Sequence, residues 1–297
     1  MLVVLELTVI RLSWTFNVDY AHYILAGVLW MLGVCMMLLA GLVWLPVAAI
    51  ATFGLVMIAG HNVVDLLKPA QGSWILQFLY FGGVFRIGAG GPFVAVLYSI
   101  VPWIGVMAAG YAFGAIMIRS AEERRRLCLT IGLAAIALFV VLRGLDVYGD
   151  PRHWKAGPAA VPALFRFLNT TKYPASLLFL LMTLGPTIAL LPLAERARGI
   201  AGRVLAVFGR VPLFYYLLHI PVIHAAAVVV SLAREGRVNP WLFGNHPMMP
   251  PPVPDGYTWP LPLLYLVFAG VIAILYVPCR YFARAKAERR NGLVRYL

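Results

Sequence analysis

RSAEERRRLCLTIGLAAIALFVVLRG, residues 119–144, decides the fold. Four arginines (Arg119, Arg124, Arg125, Arg126) stand before sixteen residues without a charge, and Arg143 follows them. Crossing the hydrocarbon of a bilayer takes about 20 mostly apolar residues in a helix. A helix is needed because no water is present there to satisfy the backbone N–H and C=O groups. A basic cluster beside such a run marks the cytoplasmic side. Residues 126–144 are therefore a membrane span that enters from the cytoplasm.

The same pattern repeats along the chain. Eight blocks qualify, at 2–17, 22–41, 43–60, 92–118, 126–144, 173–193, 204–232 and 260–282. The fold expected is all-α, a polytopic transmembrane helical bundle of about eight spans forming a single integral membrane domain over 1–297. Composition agrees: 62% of residues are hydrophobic, 12% are charged and the mean hydropathy is +0.88. Soluble domains carry about 25% charged residues, so this chain cannot cover itself with a water-facing surface. The net charge of +13 comes from 24 basic residues, mostly arginine in short runs between apolar blocks. That placement fits topology signals and anionic headgroups rather than a groove that tracks phosphates, and no nucleic-acid partner is expected. Cys35, Cys128 and Cys279 lack paired spacing, so neither a disulfide framework nor a metal site is expected.

Loops 119–126 and 194–210 and the C-terminal segment from Arg280 onward hold 14 Lys and Arg, against 9 on the opposite side. The bias sends the C-terminus to the cytoplasm. Three longer connections, 61–91, 145–172 and 233–259, then face outward. The last contains Pro247, Pro250, Pro251, Pro252 and Pro254 and is expected to be extended. No internal repeat is visible.

Ionisable groups at membrane depth are costly and mark function by default. Gly60-His61-Asn62-Val63-Val64-Asp65 ends the third span; on a continuing helix His61 and Asp65 share a face, as a base and the carboxylate that orients it would. The outward loop holds Arg143, Asp146, Tyr148, Asp150, His153 and Trp154, followed by Asn169, Lys172 and Tyr173. Acids, amides and aromatics in that mixture suit a sugar, and equally an ordered loop opened by the Asp150-Pro151 turn. The seventh span reads Gly209-Arg210-Val211-Pro212-Leu-Phe-Tyr215-Tyr216-Leu-Leu-His219-Ile-Pro221-Val-Ile-His224. Pro221 frees a backbone carbonyl near His219, which opens a polar pocket or leaves a buried histidine bonded to a neighbouring helix. Gly110-Tyr-Ala-Phe-Gly114 offers a close helix-packing face.

LELTVIRLSWTFN (5–17), LWMLGVCMMLLA (29–40), MIAGHNVVD (57–65), LYSIVPWIGVMAAGYAFG (97–114), LRGLDVYGDPRHW (142–154), FLNTTKYPASLLFLLMTLGP (167–186) and FGRVPLFYYLLHIPVIH (208–224) together resemble the bacterial membrane proteins grouped with the catalytic domain of heparan-α-glucosaminide N-acetyltransferase. The NTTKYP and GRVPLFYYLLH segments are the most specific. The family usually opens with an Arg…Asp-x-x-Arg-Gly motif and further helices bearing a histidine implicated in acyl transfer. Neither is present, so the sequence is expected to be N-terminally truncated relative to the family.

The resemblance implies acyl transfer from cytosolic acetyl-CoA or another acyl-CoA to a sugar amine or hydroxyl on the far side of the membrane. His61, Asp65 and His219 would be catalytic. Asn62, Asp146, Tyr148, Asp150, His153, Trp154, Asn169, Lys172, Tyr173, Arg210, Tyr215, Tyr216 and His224 would bind substrate, and the cytoplasmic arginines would attract coenzyme A phosphates. Membrane lipids and a saccharide or lipid-linked acceptor are the expected partners, a homo-oligomer is admitted, and the location is the bacterial inner membrane. A transporter or flippase of a small polar or lipid-linked solute, and a non-catalytic envelope protein, stay open as alternatives.

Overall fold

The computed structural model describes residues 1–67, 74–88, 90–158, 160–245 and 257–288. Lys68, the Pro247–Pro254 stretch and Arg289, Arg290 and Arg295 lie outside the described residues. Along the chain run α1 (Leu2–Leu5), a π turn (Glu6–Ile10), α2 (Arg11–Thr15), β1 (Tyr23–Ala26), α3 (Val28–Leu42), α4 (Val47–Gly60) and a 3₁₀ segment (His61–Leu66). Then come α5 (Trp74–Leu76), a second π turn (Gln77–Phe81), β2 (Gly83–Arg86), β3 (Phe93–Val96), α6 (Ile100–Met117) and α7 (Ala121–Leu145). The remainder is α8 (Ala163–Leu168), α9 (Leu177–Ala194), α10 (Gly199–Arg210), α11 (Pro212–Glu235), a 3₁₀ turn (Pro240–Phe243) and α12 (Leu261–Glu288). Helices dominate, as expected. Among the described residues six segments are long and apolar enough to cross a membrane: 47–66, 100–117, 121–145, 177–194, 212–235 and 261–288. Their outer faces expose large apolar side chains, among them Leu55, Val141, Leu266 and Ile274, as lipid-facing helices do.

The other two expected spans differ. The 2–17 block is helical over Leu2–Thr15 but broken by its π turn. The 22–41 block gives up its first residues to β1, leaving α3 at 15 residues, about 22 Å against roughly 30 Å of hydrocarbon. The 92–118 block likewise yields β3, which pairs antiparallel with β2 in a three-stranded sheet of order β1-β3-β2. Tyr23, Val94 and Val96 are β-branched or aromatic residues that favour a strand when only a short apolar run precedes a helix. The 204–232 block is two helices, because Pro212 disfavours helical geometry at Val211 (φ −134°, ψ 50°).

Contacts gather the chain into two compact units, one of Met1–Glu6 with Leu25–Arg196, the other of Leu7–Ile24 with Ala197–Leu297. In the first, α4 packs on α6 and α7 on α9 through glycines that let backbones approach. A Cβ on Gly54 would lie 2.6 Å from the Ala109 nitrogen, and one on Gly132 2.7 Å from the Gly185 oxygen. Gly110 and Gly114, expected to form such a face, have nothing within 4 Å of an added Cβ. They point away from the α4 contact that Gly105 makes, so the packing role passes to Gly54, Gly105, Gly132 and Gly185. The Ser120 hydroxyl caps α7 by accepting the Glu123 N–H (3.3 Å), and Arg124 grips Glu195 at the end of α9 with two bonds of 2.7 and 3.0 Å. In the second unit Val211, Cys279 and Ala283 form the core between α10, α11 and α12, with Phe214 stacked on Phe282 at 4.2 Å.

Candidate functional site

Arg143 sits in the last turn of α7, where Asp146 turns the chain in the left-handed conformation (φ 60°). Its guanidinium is fully buried, yet among the described residues it has no carboxylate partner within bonding distance. Instead it donates to the backbone oxygens of Phe167 (2.9 Å), Arg152 (2.8 Å), Arg166 (3.2 Å) and Asn169 (2.9 Å). Planar, five-donor geometry lets one side chain hold several strands of loop at once. Asp150 does the complementary work, accepting from the Arg152 and Thr171 N–H groups (2.8 Å each), the Thr171 hydroxyl (2.8 Å) and the Ser176 hydroxyl (2.9 Å). Ser176 in turn accepts the Phe179 N–H and so caps α9. Trp154 Nε1 donates to the Arg143 oxygen (2.7 Å), and Asn169 Oδ1 accepts from Arg152 (2.9 Å). Asp150 and Trp154 therefore spend their side-chain polar atoms, and Asn169 its Oδ1, on the loop itself. His153 stays exposed, 3.6 Å from Asp146.

This clasp sets the entry of α9 against the end of α4, where the first two sequence-predicted clusters meet. Asn62 Oδ1 accepts the Leu177 N–H (2.8 Å), Tyr148 donates to the Ala59 oxygen (2.6 Å) and His61 Nε2 faces the Ala175 oxygen at 2.9 Å. His61 Nδ1 also faces backbone oxygens, those of Met57 and Ile58 at 3.0 Å. With a backbone oxygen facing each nitrogen, both are turned onto the chain rather than toward a substrate.

The expected His61–Asp65 pair does not form. From His61 onward the chain winds as a 3₁₀ helix, which brings residues three apart into line rather than four. Asp65 accordingly accepts from Asn62 Nδ2 (2.7 Å), and its other oxygen accepts from the Tyr80 hydroxyl (2.8 Å). Burial, then the bond to Asp65, pushes the Tyr80 phenol well above its usual value; burial and the same carboxylate also raise Tyr148. Two neutral phenols thus stand by a half-buried carboxylate whose oxygens, among the described residues, each take one side-chain bond, leaving lone pairs for a substrate N–H or O–H. Tyr80 was not foreseen. Its only signal is a tyrosine in the apolar Gln77–Phe81 run, and the π turn that aims it is invisible in composition.

Beside the same loop, Tyr98 meets Tyr173 edge-on at 5.4 Å, and Lys172 Nζ lies 5.1 Å from the Tyr173 ring and 5.9 Å from that of Tyr98. The Tyr173–Pro174 bond is cis. Burial, reinforced by the bond to Tyr173, pushes Tyr98 up to about 12. Burial alone would lower Lys172, but the two tyrosines outweigh it and the ammonium is held above its usual range.

In the second unit Arg11, also fully buried, repeats the clasp. It binds the backbone oxygens of Tyr23, Asn17 and Asp19, the Thr15 hydroxyl and the Asn245 side chain, with Tyr20 over its plane at 4.4 Å. His219 Nδ1 lies 2.6 Å from the Tyr216 oxygen, and its ring stacks on Tyr215 at 5.5 Å. The carbonyl fixes the proton on Nδ1 and leaves the lone pair on Nε2. His224 is buried, stacked on Phe16 at 4.0 Å, and its Nε2 has no partner among the described residues. Arg210 is exposed at the end of α10. Among the described residues no three His, Cys, Asp or Glu side chains gather as metal ligands.

Residues 2–148 match the protein-family model described as heparan-alpha-glucosaminide N-acetyltransferase, catalytic. No curated protein and no solved structure matches the chain.

Proposed function

Since residues 2–148 belong to the heparan-alpha-glucosaminide N-acetyltransferase catalytic family, we propose that this multi-pass membrane protein moves an acyl group from cytosolic acyl-CoA, acetyl-CoA being the simplest, to a sugar amine or hydroxyl on the opposite face. The location we infer is the bacterial inner membrane, with the C-terminus in the cytoplasm. The observation that carries this reading is the Asp65 carboxylate, steadied by Asn62 and Tyr80 within the family-matched segment. It is placed to accept the proton of an attacking amine or hydroxyl. As that atom bonds to the thioester carbonyl carbon, the C–S bond breaks and the proton ends on the coenzyme A sulfur. Tyr80 and Tyr148, kept neutral and with their O–H groups given to Asp65 and the Ala59 oxygen, offer acceptor lone pairs to the sugar hydroxyls. Tyr98 and Tyr173 offer ring faces for the pyranose, and Lys172 a charge beside them. His219, with its free Nε2, is the alternative base in the second unit.

The test is acyl transfer from radiolabelled acetyl-CoA to glucosamine by membranes containing the protein. Asp65→Asn is expected to lower kcat by about 10²- to 10⁴-fold with KM for acetyl-CoA little changed, the range typical of a general base. His219→Ala is measured in parallel, and the larger loss of kcat identifies the base. Uptake of the sugar without any acyl-CoA dependence would instead establish a transporter.

A further inference from the structure

Within the second unit a cavity of about 420 Å³ runs between α11 and α12. Ile223 and Ala227 on α11 and Phe268 on α12 line its length, while Trp241, Tyr257 and Trp259 close one end. Both helices are long and apolar enough to span a bilayer, so the groove lies along hydrocarbon. The aromatic end lies beyond the C-terminus of α11 and before the start of α12, at the level where tryptophan and tyrosine rings meet headgroups. Trp241 and Tyr257 pack there with ring centres 5.9 Å apart.

A positive charge is fixed at that same end. Arg234 Nη1 donates to the Thr258 oxygen at 2.7 Å, and Thr258 stands between Tyr257 and Trp259, both of which line the cavity. The bond anchors the guanidinium at the mouth, and the side chain remains exposed. Arg237 follows one turn later, its own oxygen held by the Ser231 hydroxyl at 3.1 Å, with Glu235 as the nearby acid in sequence. Apolar walls, an aromatic rim and an anchored guanidinium match three parts of one molecule: a hydrocarbon tail, a glycerol region and a phosphate. A soluble anion would use the arginine and leave the groove idle; a zwitterionic lipid would use the groove and gain little from the arginine.

We propose that the α11–α12 groove is a binding site for a single anionic phospholipid, its acyl chain between Ile223, Ala227 and Phe268 and its phosphate on Arg234. Tyr215 lines this groove as well as stacking on His219, but Arg234 and Ala227, which carry the lipid reading and its test, have no part in the acyl-transfer chemistry.

The experiment places the full chain in nanodiscs of phosphatidylcholine and titrates in phosphatidylglycerol brominated on its acyl chain, reading tryptophan quenching; of the eight tryptophans, the share due to Trp241 and Trp259 is the part lost when both are changed to Phe. Brominated phosphatidylcholine in the same discs sets the baseline. Expected is stronger quenching by the phosphatidylglycerol, with the preference falling about fivefold in Arg234→Gln, the effect of one basic residue near a membrane surface. Ala227→Phe, which fills the groove, should reduce quenching by both lipids, and soluble glycerol 3-phosphate should displace neither. Equal quenching by the two lipids, or a preference unchanged in Arg234→Gln, would overturn the proposal. So would displacement by glycerol 3-phosphate, which would assign the arginine to a soluble anion. If Ala227→Phe changes the oligomeric mass and leaves quenching intact, the groove belongs to a second copy of the chain. Circular dichroism of each variant in the same discs separates these outcomes from misfolding, and Ala227→Leu serves as a milder fill if Ala227→Phe does not fold.

Discussion

Replacing Arg143 with Met keeps most of the side-chain volume and removes the donors. Four backbone oxygens lose a charged partner, and a hydrogen bond to a charged group is worth about 1.5–3 kcal/mol. The four are not additive, because they hold one loop. Arg152 and Asn169 are exposed, so their oxygens regain water when released. Counting roughly two bonds as fully lost gives about 4 kcal/mol, a large share of the 5–15 kcal/mol that holds a typical fold. That energy should be read locally. The Thr171, Ser176 and Leu178 amides bond across the clasp, to Asp150, Thr171 and Gly149. Their hydrogen-exchange protection in Arg143→Met should drop about a thousandfold, at 1.36 kcal/mol per tenfold, while amides in the middle of α4 keep theirs. Arg143→Lys, a single ammonium in place of a five-donor plane, should fall between. Protection at Thr171 within threefold of the unaltered protein would refute the clasp. So would a loss spread evenly over α4 and α6.

Other outcomes follow from the same geometry. Gly132→Ala should destabilise the α7–α9 contact by roughly 1–3 kcal/mol, since the new methyl meets backbone. Gly110→Ala and Gly114→Ala, with open space around them, should instead stabilise by up to about 1 kcal/mol through helix propensity; thermal unfolding in detergent compares the three. Asp150→Asn exchanges an acceptor for a donor facing the Thr171 and Ser176 groups and should cost about 2 kcal/mol, seen as faster proteolysis of the 150–171 loop. Tyr98 is raised from 10.0 to about 12, so both states are neutral below pH ~10 and its contribution is complete there. Between pH 10 and 12 the unfolded phenol ionises first and stability falls. In Tyr98→Phe that part of the alkaline decline should vanish, and an unchanged pH profile would contradict the assignment.

Long apolar runs were legible because hydrophobic length is a property of composition alone: 126–144 and 260–282 are helices close to their expected limits. Ends and corners were less so. Whether Tyr23–Ala26 is strand or helix depends on a pairing partner some 70 residues away in sequence, and β propensity takes its meaning from such context. That Asn62 and Asp65 stand together at one helix end could be read; that Tyr148 joins them could not, nor could the partner of Asp65, because a change from α to 3₁₀ winding moves the neighbour from four residues away to three. Gly110 and Gly114 have the small-residue spacing of a packing face, but spacing does not say which side of a helix meets its neighbour. Arg143 was counted as a loop charge, since a sequence does not reveal that a guanidinium will be turned inward onto carbonyls.

That last arrangement bears on how such a loop tolerates change. Arg143 reads peptide oxygens, which every residue carries, so Arg152, Arg166, Phe167 and Asn169 are replaceable as far as the clasp is concerned, whereas Arg143 is not. Side chains facing outward from the 150–169 segment are free to drift while the entry of α9 stays fixed behind them. A membrane protein built this way can alter what it recognises on its exposed rim without rebuilding the frame on which Asp65 and Tyr80 are held.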